Sequence, residues 1–259
     1  MSSILFELQD GVAKITLNRP DVFNSFNREM AISLQKHLKN CESDDKVRAI
    51  YLTGNGKAFC AGQDLKEVTD PETNLGFHRI LEEHYHPIIL QIRNIEKPVI
   101  AAINGVAAGA GANLGLACDI VVSTASALFI QAFSKIGLIP DSSGTYLLPR
   151  LIGFQKALAL AMLGDKVSAT EAERMGMIYK VFSDEEFAEE SWKIALKLAK
   201  MPTKGLGYIK RAFNQTFQNT LEDQLKLEQA LQVKAGATDD YEEGVQAFLE
   251  KRKPNFMGK

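Results

Sequence analysis

The chain has only three cysteines in 259 residues, Cys41, Cys60 and Cys118. An odd, widely spaced set fits neither a disulfide framework nor a zinc-ligand spacing, so a reducing compartment is the simplest reading. No run of like charge stands out: 30 basic residues face 32 acidic ones for a net charge of -2, and no broad nucleic-acid-binding face is implied. Phosphate-cradling motifs are missing too. Gly109–Gly115 reads GAGANLG, with its third glycine out of place for GxGxxG, and no Walker sequence occurs. Ser143 lacks the flanking glycines of a GxSxG elbow. The histidines His37, His78, His84 and His86 do not fall in HExxH order; the last three share one expected helix, read as a solvated face, and no metal is expected. The N-terminus lacks a basic region followed by an unbroken apolar one, and the most apolar stretch, Pro98 to Val122, is cut by Asn104, Asn113 and Asp119. The expectation is a cytoplasmic protein with no membrane partner.

What is present is an ordinary globular balance, 46% hydrophobic and 24% charged. That suffices for one large core with at most one appendage. Two β-rich runs from Ile4 to Leu17 meet at Asp10-Gly11, a tight-hairpin signal. Asn27 is placed to cap a helix running to about Asn40, and strands are expected over Val47–Thr53, Val99–Ile103 and Asp119–Ser123. The stretch Asn74 to Asn94 reads as helix interrupted at Pro87. Strand, glycine-rich turn and helix recur at uneven spacing, which predicts stacked β/α layers. Beyond Asp184 the pattern is almost wholly helical, with segments over Glu185–Lys200, Leu206–Phe217, Leu221–Ala235 and Asp240–Lys251.

Three segments stand apart: FCAGQDLKE (Phe59 to Glu67), INGVAAGAGANLGLACD (Ile103 to Asp119) and FSKIGLIPDSSGTYLLPRLIG (Phe133 to Gly153). Each of the first two follows a strand with small residues and then starts a helix, where main-chain N–H groups have no helical partner. Two such groups converging on one point would stabilise a developing oxyanion. The same glycines and alanines would also serve tight packing, and spacing alone does not choose. Asp141 is open in the same way: it is either a base in a partly apolar pocket with Phe133, Ile136, Leu138 and Ile139, or a cap of the helix starting near Ser143.

Together, and in this order, the three segments resemble the enoyl-CoA hydratase/isomerase (crotonase) superfamily, over the whole chain. The resemblance implies an α/β fold, a crotonase-like spiral of repeated β/β/α turns over residues 1–195, with a C-terminal helical trimerisation region over 196–259. It implies an acyl-CoA thioester substrate, a homotrimer or dimer of trimers, and no cofactor, since coenzyme A is part of the substrate. Gln63 and Ala110 take the positions whose main-chain amides hold the thioester oxygen. Asn24, Phe26, Cys60, Ala61, Gly62, Asp64, Leu65, Gly109, Asn113 and Phe133 take substrate-binding positions; Arg28, Lys57 and Lys66 are candidates for the CoA phosphates, with a plain solvated charge the favoured reading of each. Asn113 and Phe133 stand where hydratases of the superfamily carry their two glutamates, whereas Asp141 stands where its isomerases carry their working carboxylate. The implied activity is acyl-CoA isomerisation through a thioester enolate, one aspartate moving the proton, on a ring-epoxidised arylacetyl-CoA or a Δ3,Δ2-enoyl-CoA. Enoyl-CoA hydration or another reaction of the superfamily is the alternative, and a non-catalytic CoA-binding scaffold is the reading from another class. Asn113, as a neutral amide, is expected to be dispensable for proton transfer, and Glu67, Glu82 and Glu83 to face solvent.

Overall fold

The computed structural model describes residues 2–259. Ten strands run β1 (Ile4–Gln9), β2 (Val12–Leu17), β3 (Ala49–Gly54), β4 (Ala58–Cys60), β5 (Val99–Ile103), β6 (Val106–Ala108), β7 (Ile120–Thr124), β8 (Leu128–Ile130), β9 (Lys166–Ser168) and β10 (Lys180–Phe182). The helices are α1 (Arg28–Ser43), α2 (Leu65–Thr69), α3 (Gly76–Ile80), α4 (His86–Asn94), α5 (Ala110–Leu116), α6 (Gly144–Ile152), α7 (Phe154–Leu163), α8 (Ala169–Arg174), α9 (Phe187–Ala199), α10 (Thr203–Gln215), α11 (Leu221–Ala235) and α12 (Asp239–Leu249). A π-helical turn, Leu81–Tyr85, joins α3 to α4.

The opening hairpin pairs β1 with β2 antiparallel through Asp10 and Gly11, both at positive φ, the backbone that suits a two-residue hairpin turn. From β3 to β8 successive strands alternate between two sheets. β3, β5, β7 and β10 extend the first in parallel, in the order β1-β2-β3-β5-β7-β10, while β4, β6, β8 and β9 form the second. Each turn from β3 to β8 thus gives one strand to each sheet and then leaves through a helix, which is the spiral; β9 and β10 close the two sheets with α8 between them.

The inner strands of the first sheet, β3, β5 and β7, are covered on both faces, which is why they read as continuous apolar runs, whereas β1 at its edge is largely exposed. Along β3, Ile50 and Leu52 join the main core while Ala49 and Tyr51 join a second cluster; along β5, Val99, Ala101 and Ile103 face the first and Ile100 and Ala102 the second. This is the period-two alternation of a strand. Helix α9 closes the second cluster with Phe187, Ala195 and Ala199. Residue 195, after which the boundary was expected, lies inside α9. A buried ion pair ties α10 to the core: Lys210 Nζ lies 2.8 Å from Asp119 Oδ2 and 2.6 Å from the Ile92 carbonyl.

Pro87 has a specific consequence. It has no N–H, so the carbonyl of Glu83 four residues earlier loses its helical partner. Gln35 of α1 supplies one, its Nε2 donating to Glu83 O at 2.7 Å and His84 O at 3.2 Å. The interruption expected at Pro87 takes the form of the widened π turn just before it. His84 in that turn is fully buried, not solvated as its helical setting suggested, with Nε2 3.2 Å from Arg28 Nη1.

Candidate active site

Two main-chain N–H groups and one carboxylate meet at a cavity of about 430 Å³ whose walls include Gly62, Gln63, Gly109, Ala110, Phe133 and Asp141. The first N–H is aimed by its own peptide unit. The Gly62 carbonyl accepts from Phe26 N–H at 2.7 Å, so the Gln63 N–H across the same trans peptide points the opposite way. The second belongs to Ala110, the first residue of α5, where no intrahelical acceptor exists; the Gly109 carbonyl on its peptide receives Asn113 N–H at 3.1 Å. Among the described residues, no turn, loop or cap hydrogen bond engages either N–H.

Glycine makes this approach possible. Gly62 sits at φ +93°, and a Cβ there would lie 3.0 Å from the Ala108 carbonyl oxygen and 3.4 Å from Ala110 N. A Cβ on Gly111 would meet the Cys60 carbonyl oxygen at 2.3 Å. Both positions require that no side chain be present where the two loops cross.

Asp141 precedes two residues in the left-handed region, Ser142 (φ 49°) and Ser143 (φ 69°), an arrangement that costs about 1–3 kcal/mol per residue. No side chain caps α6, so the capping alternative for Asp141 is not realised. Its carboxylate instead accepts from Ser142 Oγ at 2.8 Å. Burial raises its pKa above the ordinary 3.8, against the opposing pull of the Ser142 hydroxyl and the charge of His86. A raised carboxylate is a stronger base once ionised.

Of the positions assigned by resemblance, Ala61, Gly62, Gln63, Leu65, Gly109, Ala110, Phe133 and Asp141 line the cavity. Asn24, Phe26, Cys60, Asp64 and Asn113 do not, because their side chains are spent within the protein. Asn24 Nδ2 bonds the carbonyls of Asn55 and Ala58, holding its loop to β4. Phe26 is wholly buried and packs on Tyr85. Cys60 Sγ accepts from Gly62 N–H at 3.4 Å, and burial pushes its thiol up to about 12. Asp64 caps α2 and pairs with Arg19 at 2.8 Å. Asn113 is 1% exposed: its Nδ2 donates to the Asp141 main-chain carbonyl and its Oδ1 accepts from Gln131, both at 2.8 Å. Asn113, expected to take no part in proton transfer, thus anchors the backbone that carries the carboxylate.

Arg28 pairs with Glu83, whose carboxyl pKa Arg79 and then Arg28 lower to about 2. Glu67 is half-buried and faces inward, accepting from Gln63 Nε2 and from Arg28 N–H, both at 2.8 Å. Sequence spacing gave no sign of Ser25, Val68, Ile80, Leu81 or Lys135 in the cavity wall. Phe77 and Tyr85 line it as well, whereas His86 beside them does not. The four cavity-lining residues from Phe77 to Tyr85 come from α3 and the π turn, a helix whose inward face the Pro87 interruption shifts out of ordinary register.

The sequence profile of the family described as Enoyl-CoA hydratase/isomerase matches residues 7–259. The chain belongs to the enoyl-CoA hydratase/isomerase family. Among its relatives, 1,2-epoxyphenylacetyl-CoA isomerase of Escherichia coli is 49% identical over 263 residues, covering 100% of both chains. Trans-2-decenoyl-[acyl-carrier-protein] isomerase of Streptococcus mutans is 35% identical, covering 99% of this chain and 98% of the relative. The crystal structure of an enoyl-CoA hydratase from Bacillus anthracis superposes with a TM-score of 0.92 at 34% identity, over 99% of this chain and 100% of that one. The spiral fold is thus the fold of the enoyl-CoA hydratase/isomerase family. No helix among the described residues is long and apolar enough to cross a membrane.

Proposed function

We propose that this chain is an acyl-CoA isomerase that moves a single proton through a thioester enolate, with 1,2-epoxyphenylacetyl-CoA as its substrate and Δ3-enoyl-CoA thioesters as a second class. The observation that carries the reading is that Asp141 is the one carboxylate among the described residues lining a cavity that also holds the Gln63 and Ala110 N–H groups. The thioester oxygen accepts from both amides, which favours the enolate over the ground state because the charge develops on that oxygen. Asp141 takes a proton from the α carbon, and the C–H electron pair becomes the enolate double bond. The protonated acid, which exchanges its proton with solvent, then delivers a proton to the far end of the conjugated system, shifting the double bond and restoring the carboxylate; on the epoxide the carbon–carbon bond of the three-membered ring also opens, its electron pair joining the ring double bonds to give the seven-membered isomer. Nothing is added or lost, so the reaction calls for no redox group, and CoA enters only as part of the substrate.

Hydration is disfavoured by the same cavity, since addition of water needs two cooperating acid–base groups and the lining offers one carboxylate. The full-length 49% identity to an isomerase supports the same choice. Exposed apolar side chains on α10 to α12, including Phe213, Leu221, Leu225, Val233 and Phe248, support assembly as a trimer or dimer of trimers. With no membrane-spanning helix among the described residues, the proposed location is the cytoplasm. Incubation with crotonyl-CoA and with 1,2-epoxyphenylacetyl-CoA in water labelled with ²H and ¹⁸O tests the reading. Isomerisation incorporates hydrogen isotope at carbon only, whereas incorporation of ¹⁸O at the β carbon as the main product would assign hydration.

A further inference from the structure

The cavity contains a phenol that the proton shuttle does not use. Tyr85 ends the π turn, is 1% exposed, and reaches the cavity wall with its hydroxyl 3.0 Å from Gln63 Oε1. The amide that receives it is held at its other end as well: Gln63 Nε2 donates to Glu67 Oε2 at 2.8 Å, and Glu67 Oε1 accepts from the Arg28 main-chain N–H at 2.8 Å. A continuous chain of hydrogen bonds therefore runs from Tyr85 through the Gln63 side chain to the start of α1. The need for it is visible next door. Gln63 follows Gly62, the residue with the least intrinsic backbone restraint, at φ +93°. The Phe26 N–H holds this peptide at the Gly62 carbonyl, and the Gln63 side chain adds a second hold on the far side of its N–H, limiting how far the unit can tilt about Gly62.

We propose that Tyr85 is a positioning residue for the oxyanion-binding amide, acting through the Gln63 side chain to hold the Gln63 main-chain N–H on the thioester oxygen. The inference rests on the enolate reading above. Tyr85 suits the task because burial, then the neighbouring Cys60, Asp141 and Glu67, hold its hydroxyl well above its ordinary pKa, so it remains a neutral donor across the working range. Its ring is packed against Phe26 with centroids 5.8 Å apart, which fixes the direction of the hydroxyl. The widened helical turn caused by Pro87 gives this arrangement a backbone origin.

The test uses phenylacetyl-CoA, whose α hydrogens exchange through the same enolate without further reaction. Tyr85→Phe keeps the ring and removes the hydroxyl; Gln63→Ala removes the acceptor and keeps the main-chain N–H. Each variant is expected to lower kcat for deuterium exchange by about tenfold with KM changed less than about threefold, a fraction of the 10²–10³ lost with a whole oxyanion donor. The double variant is expected to be no slower than about twofold below the slower single one, because both break the same connection. Infrared spectra of the ¹³C=O-labelled thioester are expected to show its carbonyl stretch shifted down on the wild-type protein and returned toward the free value on Tyr85→Phe, which loosened packing elsewhere would not produce. Wild-type rates in Tyr85→Phe, or losses that multiply in the double variant, would overturn the role of Tyr85 alone. A wild-type protein that neither exchanges the α hydrogens nor shifts the carbonyl stretch would overturn the enolate reading and this inference with it.

Discussion

Replacing Asp141 by Asn removes the one group able to accept the α proton while disturbing little else. The Asn113 anchor bonds the main-chain carbonyl of residue 141, and the Ser142 hydroxyl, 2.8 Å from Oδ1, finds an acceptor oxygen in an amide as well. The Gln63 and Ala110 N–H groups belong to other turns of the chain. The expected loss is therefore the whole general-base contribution, about 10²–10⁴ in kcat or about 3–5 kcal/mol of barrier, with thioester binding unchanged within a few-fold. Proton NMR of α-hydrogen exchange in D2O measures the first quantity and calorimetric titration with the thioester the second. The substitution also has a stability signature whose sign follows from the raised pKa. A carboxyl that binds its proton more tightly folded than unfolded stabilises the fold at low pH, below its unfolded value, and that contribution is lost as pH rises through the raised folded value. Asn has no such dependence, so the variant should gain in relative stability between those two points and hold the gain at neutral pH. In the wild type, kcat should climb with pH through an apparent pKa above 3.8, the ordinary aspartate value. Exchange in Asp141→Asn within tenfold of wild type would refute the single-base mechanism.

Asn113→Ala leaves the Gln131 amide and the Asp141 carbonyl without their partner in a buried setting, and should cost about 1–3 kcal/mol in urea unfolding together with a several-fold drop in kcat. Gly62→Ala brings a methyl to 3.0 Å from the Ala108 carbonyl oxygen at a φ of +93°, so thioester turnover should fall by more than tenfold while the Tm drops by only a few degrees. Lys210→Met leaves Asp119, whose pKa burial already pushes up as it pushes that of Lys210 down, with Arg93 at 3.8 Å as its remaining cation; a loss somewhat below the about 3–5 kcal/mol of an unpaired buried charge is expected, and Asp119→Asn combined with Lys210→Met should lose less than the two singles summed. Denaturant midpoints check both.

The elements legible in the sequence were those whose signals are local. The Asp10-Gly11 hairpin, the Asn27 cap, which accepts from Met30 N–H at 3.0 Å, and the helix Leu221–Ala235 fall where spacing placed them. The three glycine-rich and aspartate-bearing segments likewise come together at one cavity. What stayed hidden depends on which side of a loop a side chain takes. Asn24 and Asp64 occupy loops that border the site and Cys60 ends β4 beside it, but their side chains turn inward to hold these segments, and a position in a motif does not reveal that direction. Glu67 and His84 were misread for a related reason: a charged residue on a short helix looks solvent-facing until the neighbouring turn is known to pack over it. The π turn that brings Tyr85 to the wall arises from Pro87 together with Gln35, 52 residues earlier in the chain, a pairing that local periodicity cannot register.

Because the two groups proposed to grip the thioester belong to the peptide backbone, ordinary amino-acid replacement cannot delete them. Every residue except proline at positions 63 and 110 would still offer a hydrogen there. Diversity is thus confined to what surrounds a fixed anchor: a single codon change at 141 can add or remove an acid, while the capacity to stabilise an enolate is inherited with the path of the chain. A scaffold of this kind can change its reaction without first losing its grip on the substrate.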